Sequence, residues 1–244
     1  ISGIALCAVP SIAYAQDAEA TEGAENIDEN VIIVTASKRQ ATLQETPIAV
    51  SVTSAEQIED AQVRDLLDLQ TLTPSLRVSQ TSLSSVTVFS IRGFGNGGAN
   101  PGIEPSVGVF IDGVYRSRSA AQISYLPNLQ RVEVLRGPQS TLFGKNASAG
   151  VISIVTRGPQ FEQSGSVEAG IGNFNAYRLK GDITGPLSDT VAYSLSGNYN
   201  KRDGYADDLA TGSDVNQRDR WGIRGQLLFE PNEDLSFRVI GDYD

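Results

Sequence analysis

Two glycine patterns and one lysine have the spacing that nucleotide chemistry asks for. Gly93, Gly95 and Gly98 stand in the order GxGxxG behind a strand-like run, and Gly144-Lys145 comes after Gly137 in a segment resembling a phosphate loop. Neither meets the remaining requirements. A dinucleotide site needs a helix next, so that its N-terminus faces the pyrophosphate. The residues after Gly98 are "ANPGIEPS", and a helix interior does not tolerate Pro101 and Pro105. A phosphate loop needs four residues between its first Gly and Gly-Lys, then Ser or Thr for magnesium. Here six residues stand between Gly137 and Gly144, and Asn146 comes after Lys145.

Other chemistry is narrowed by composition. The 244 residues contain no His and a single Cys, Cys7. Within them there is no Ser-His-Asp triad, no Cys-His pair and no His- or Cys-ligated zinc, and no cofactor is expected. The net charge is −10 with no Lys/Arg cluster, so a nucleic-acid partner is not expected.

Gly93, Gly95 and Gly98 are read instead as a flexible exposed loop, and Gly144 and Gly150 as the exit of a short helix and the turn into the next strand. "PIAVSV" (47–52) reads as a strand, and Ser54-Ala55-Glu56-Gln57 as a capping box opening a short helix. That helix carries Val63, Leu66 and Leu67 on one face and stops by Thr73-Pro74. "VTVFSIRG" is a strand ending at Arg92-Gly93. "VFIDGVYR" is a hairpin turning on Asp112-Gly113. Residues 131–135 and 151–156 are further strands. Between them Pro138 fits the first position of a one-turn helix, with Gly144 as its exit. Arg136, at a strand end among apolar residues, requires a carboxylate distant in sequence.

The first residues read as an address. "ISGIALCAVPSIAYAQDA" is uncharged and apolar up to the small-x-small pattern Ala13-Tyr14-Ala15. It is read as a secretory signal peptide lacking its basic start, residues 1–15, cleaved after Ala15. The absence of Met and the break in mid-pattern at Asp244 make the chain read as a piece of a longer one. Residues 16–40 form an acidic tether with six carboxylates from Asp17 to Glu29 and almost nothing to bury, expected to stay disordered. It ends in the β-branched run Val31-Ile32-Ile33-Val34-Thr35. That run is either the first strand of the next domain or an extended peptide held out for strand addition.

From Ser164 every second residue is apolar. Val191, Tyr193, Leu195 and Tyr199 oppose Ala192, Ser194, Ser196, Asn198 and Asn200. Trp221, Ile223, Leu227 and Phe229 oppose Arg220, Arg224, Gln226 and Glu230, and three further runs repeat the pattern. "GPLSD" and "EPNED" are tight turns, while the connection from Arg202 to Asp219 is long and acidic. A secreted β-sandwich would also alternate. Short turns at one end and a long loop at the other favour an outer-membrane barrel.

These blocks resemble the TonB-dependent outer-membrane receptors of Gram-negative bacteria. "VIIVTA" (31–36) resembles the TonB box; "IRGFG" (91–95), "VGVFIDGVY" (107–115) and "VEVLRGPQSTLFGKNASAGVISIVT" (132–156) resemble the plug blocks in order and spacing. The implied fold is a mixed α+β plug domain, residues 41–160, followed by the first five or so antiparallel strands of a transmembrane β-barrel, residues 161–244. Such barrels reach about 22 strands around the plug.

The resemblance also implies a function. TonB-coupled transport would carry a scarce ligand, a ferric siderophore or similar metal chelate, across the outer membrane. The partners are then TonB, pairing with Val31, Ile32, Ile33, Val34, Thr35 and Ala36, together with outer-membrane lipid and the extracellular ligand. Arg92, Phe94, Tyr115, Arg116 and Arg118 are expected to face the ligand, with plug–barrel pairing as the other reading of Arg92. Arg136 is expected to pair plug with barrel. Asp203, Asp207, Asp208 and Asp214 would fall on the second extracellular loop and are read as solvated, with a calcium site as the other reading. Two rivals stay open: a signalling receptor of the same architecture, and a secreted or surface β-rich binding module or adhesin without transport.

Overall fold

The structure, a computed structural model, describes residues 33–34, 41–44, 46–61, 63, 66–80, 87–95, 103–117, 128–208 and 214–243. The expected signal peptide, most of the tether, Val31, Ile32, Thr35, Ala36 and Arg118 lie outside them.

The first sheet is built from β-branched strands. In chain order they are β1 (Ile33–Val34), β2 (Ala41–Thr42), β3 (Val50–Ser54), β4 (Leu76–Gln80), β5 (Thr87–Ile91), β6 (Val107–Ile111), β7 (Val114–Tyr115), β8 (Leu129–Arg136) and β9 (Gly150–Thr156). Five of them form one sheet in the order β3-β8-β9-β6-β7, while β1 pairs with β2 and β4 with β5. Only the β6–β9 pairing in the five-stranded sheet is parallel. Successive residues of β6, β8 and β9 point to opposite faces, and both faces are covered. On one face Val107, Val109, Val132, Val134, Ile152 and Ile154 pack with Ile58, Leu66, Leu69 and the β4–β5 pair. On the other, Phe110, Leu135 and Val151 pack with Val34 and Ala147.

The capping box forms as read. Ser54 Oγ accepts from Gln57 N, the Gln57 side chain accepts from Ser54 N, and helix α1 runs Ala55–Asp60. The helix is shorter than expected. Val63 N donates to Ile58 O, five residues back, a wide turn that ends the helix. The expected apolar face divides accordingly: Val63 and Leu66 are buried, whereas Leu67 is only half-buried. Pro138 does not open the one-turn helix Ser140–Phe143, whose N-cap is Gln139. Gly137 N donates to Ala149 O and Gln139 N to Ala147 O, so the segment is still paired there, and Pro138 fills the place where no donor is needed. Gly144 is the exit, at φ 77°.

The second sheet is a wall of five antiparallel strands: β10 (Ser164–Gly172), β11 (Ala176–Ser188), β12 (Val191–Arg202), β15 (Arg218–Asn232) and β16 (Leu235–Tyr243). The long connection carries a small hairpin, β13 (Ala206–Asp207) with β14 (Asp214–Val215). It lies at the same end of the wall as the β10–β11 turn, to which Asn175 Nδ2 ties it by donating to Asp203 at 2.7 Å. The tight turns at 189–190 and 233–234 are at the opposite end.

The wall is turned opposite to a soluble sandwich. Leu195, Ile223 and Leu227 are 46, 45 and 48% exposed, whereas Ser194, Ser196, Arg224 and Gln226 are 6, 3, 3 and 4% exposed. In a sandwich the apolar face would form the core. Here the polar face lies against the first sheet's domain and the apolar face looks out, the arrangement of a barrel in lipid around a polar interior. Trp221 and Tyr243, with ring centroids 5.4 Å apart, sit on the outer face at the long-loop end, where interfacial aromatics belong.

Candidate functional site

The joint between the two sheets is a ladder of charges centred on the Asp112-Gly113 turn. Both turn residues have positive φ, 47° and 80°, as a two-residue hairpin turn requires. The turn aims the Asp112 carboxylate at the wall. Asp112 accepts from Thr156 N at 2.9 Å and Thr156 Oγ1 at 2.7 Å, and from Arg224 of β15. Arg238 of β16 lies 3.6 Å away and donates to Thr156 Oγ1 at 3.0 Å. Arg224 also donates to Asp242 at 3.1 Å, and Asp242 accepts from Arg116, just past β7, at 2.8 and 3.0 Å. Gln226 extends the joint by donating to Arg157 O at 3.2 Å, as does Gln160 N by donating to Thr184 Oγ1 at 2.9 Å. The cost of burying these charges is offset because each ion has an opposite ion and Asp112 also accepts from Thr156, while the buried Nε of Arg224 is left without a hydrogen bond among the described residues.

The residues read as ligand-facing divide. Arg92 (φ 53°) and Gly93 (φ 81°) form the turn after β5, and Phe94 bridges back to Ile91. Arg92 is exposed, and Phe94 is 73% exposed at the tip. Gly95 lies so close to the strand that a Cβ there would be 2.4 Å from Phe89 O. The described glycines of the GxGxxG pattern, Gly93 and Gly95, therefore make a tight corner where a flexible loop was expected. Tyr115 is turned into the domain: its hydroxyl accepts from Asn146 at 2.9 Å and its ring lies 5.3 Å from Phe110. Arg116 faces the wall and Asp242.

Arg136 makes no ion pair with a described residue. Its Nε donates to Ala49 O at 3.5 Å, and it lines an open groove of about 440 Å³ with Pro47–Ala49, Gly137–Gln139, Thr141 and Leu142. The ion pairs of the Asp112 ladder are made by Asp112, Arg116, Arg224, Arg238 and Asp242. Asp112 was missed by sequence reading because its role in the turn hid its second use as an anion facing the wall. Lys145, the lysine of the false phosphate loop, pairs with Glu104 at 2.6 Å, which raises its pKa.

The box residues that are described are not held out. Ile33–Val34 pairs antiparallel with Ala41–Thr42, and Val34 is fully buried beside Phe110, Leu135, Ala147 and Val151. Its β-branched side chain gains more from this apolar cluster than from water. Among the described residues no group of three or more His, Cys, Asp or Glu is placed to hold a metal ion.

An α+β domain seated on the polar face of an antiparallel wall, with the wall's apolar face outward, defines a plugged outer-membrane barrel. Residues 42–151 match the family model of the TonB-dependent receptor plug domain. The chain is 34% identical over 208 residues to the pesticin receptor of Yersinia pestis, covering 84% of this chain and 29% of that one. It is 33% identical over 210 residues to the iron-regulated outer membrane virulence protein of Vibrio cholerae, covering 78 and 29%. The crystal structure of the ferric yersiniabactin uptake receptor of Yersinia pestis superposes with a TM-score of 0.70 at 31% identity, over 76% of this chain and 29% of that one. The chain belongs to the TonB-dependent receptors of the cell outer membrane. It spans under a third of the length of these relatives, all named as receptors or outer-membrane proteins.

Proposed function

We propose that this chain is the plug and first wall of a TonB-coupled transporter that takes a ferric siderophore or similar iron chelate across the outer membrane. The observation that carries the reading is the joint. The plug is fastened by side-chain charges to the polar face of the wall, so it can move as a unit without breaking either sheet. Ion pairs with water-accessible partners at one end are cheap to exchange, which suits a plug that has to yield under force.

In this reading Val31–Ala36 is the segment that TonB captures by strand addition. Arg92, Phe94 and Arg116, with Arg118, face the extracellular ligand, and Tyr115 supports them from behind. Arginine and aromatic rings suit oxygen-rich anionic chelates through charge-assisted hydrogen bonds and stacking. Arg136 is proposed to pair with a carboxylate of the rest of the barrel. No chemical step is assigned to the chain. The resemblance to the ferric yersiniabactin uptake receptor and to the iron-regulated outer membrane virulence protein supports iron chelates as the ligand class.

The test is radioactive iron uptake into iron-starved cells expressing the complete receptor, with ferric yersiniabactin or ferric citrate supplied. Uptake is expected in cells with TonB, and loss is expected without TonB or after deletion of residues 31–36. Uptake indifferent to both TonB and the box would overturn the reading.

A further inference from the structure

We propose that Arg116 is an exchange point, where an anionic group of the ligand replaces Asp242 and so opens the accessible end of the plug–wall joint. This rests on the reading of Arg116 as ligand-facing and adds how the ligand would be sensed.

The five charges lie in alternating order: Arg116, Asp242, Arg224, Asp112, Arg238. Among these charges plug and wall are joined by three pairs, of which two share Asp112, and the Arg116 and Asp112 rungs differ in access. The side chains of Arg116 and Asp242 are 23 and 31% exposed, whereas those of Arg224 and Asp112 are 3 and 5% exposed. Arg238 is also 30% exposed, but it lies nearer the tight-turn end of β16 than Asp242, so an anion arriving from the long-loop end meets the Arg116–Asp242 rung first. The charge on Asp242 is not stranded when Arg116 leaves, because Arg224 Nη1 still donates to Asp242 Oδ1 at 3.1 Å. Arg224 in turn keeps Asp112. Removing one partner of a buried pair normally leaves an uncompensated charge. The second guanidinium removes that penalty on the wall side, and the ligand removes it on the plug side.

The chemistry of Arg116 fits the exchange. Its Nη2 contacts both oxygens of Asp242, at 2.8 and 3.0 Å, so it presents a donor edge that a carboxylate, phenolate pair or phosphate can take over. Its backbone N–H donates to Val109 O at 2.9 Å, which holds the main chain of Arg116 to β6, so that the exchange is a movement of the side chain. The ligand class this selects is an anionic chelate: a cationic one would have to approach an arginine with no anion to offer it.

The experiment is a fluorescence-quenching titration of the complete receptor in detergent with ferric yersiniabactin and, separately, ferric citrate. It compares the wild type with Asp242→Asn, Asp242→Ser and Arg116→Gln. Removing the competitor is expected to tighten binding roughly two- to fivefold in both Asp242 variants, the scale of a half-exposed ion pair. Arg116→Gln is expected to weaken it by about tenfold or more, the scale of a charge-assisted hydrogen bond. If Arg116→Gln weakens binding while neither Asp242 variant tightens it, Arg116 still faces the ligand but the exchange is overturned. If Arg116→Gln binds as the wild type does, both fall. If the wild type binds neither chelate, the proposed ligand class fails and the exchange with it.

Discussion

Asp112 does two jobs, and only one of them shows in the sequence. Beside Gly113 it marks a two-residue turn, a local signal that needs no partner. Its carboxylate is also the centre of the plug–wall joint, with Arg224 lying 112 residues away, a pairing that no spacing rule reveals. Arg136 shows the converse: a cation at a strand end invites a distant carboxylate, and none of the described residues supplies one. The two rungs of the joint should therefore differ in weight. Asp112→Ala leaves buried Arg224 with half its partners and is expected to cost about 3 kcal/mol of plug stability. Arg116→Gln, at the half-exposed rung, should cost under about 1 kcal/mol. Hydrogen exchange at the Thr156 amide, which Asp112 accepts from, reads both: fast exchange in Asp112→Ala and near-native protection in Arg116→Gln. Equal protection in the two variants would contradict the ranking.

At the scale of elements, alternation was fully legible and its direction was not. The strands of the wall fall where period-two patterning puts them, because each residue type is chosen for one face. Alternation cannot say which face is inside, since a sandwich and a barrel share it. The plug settles that by covering Ser194, Ser196, Arg224 and Gln226 and leaving Leu195, Ile223 and Leu227 outward. A charge on the outer face should then be costly: Leu195→Arg is expected to lose about 2–4 kcal/mol in refolding into bilayers if it sits near mid-membrane. No loss would mean that this face does not meet lipid. The segment at Ile33–Val34 was legible as a strand, but its partner was not, because docking depends on the pocket around Val34. Val34→Asp places an unpaired charge among Phe110, Leu135 and Val151 and should undock β1. The expected readout is faster proteolysis within residues 31–36 in ligand-free receptor, and unchanged cleavage would show that Val34 does not hold the box.

At the scale of the molecule, the five-stranded wall has two open edges, β10 and β16, and an apolar outer face. Five strands do not close a barrel, so this chain expressed by itself should aggregate or require detergent. A soluble monomer with protected amides through β12 and β15 would argue against the lipid-facing wall. Family blocks in the plug made the class of protein readable, whereas the inward-turned polar face had to be seen. The most direct test of that face is collision accessibility of spin labels placed singly at positions 192–199 of β12, in the complete receptor reconstituted in bilayers. Oxygen, which concentrates in lipid, should reach labels at positions 193, 195 and 199 and be shielded from those at 192, 194 and 196. The opposite phase, or access of a water-soluble nickel chelate to position 195, would contradict a plugged barrel whose apolar face meets the membrane.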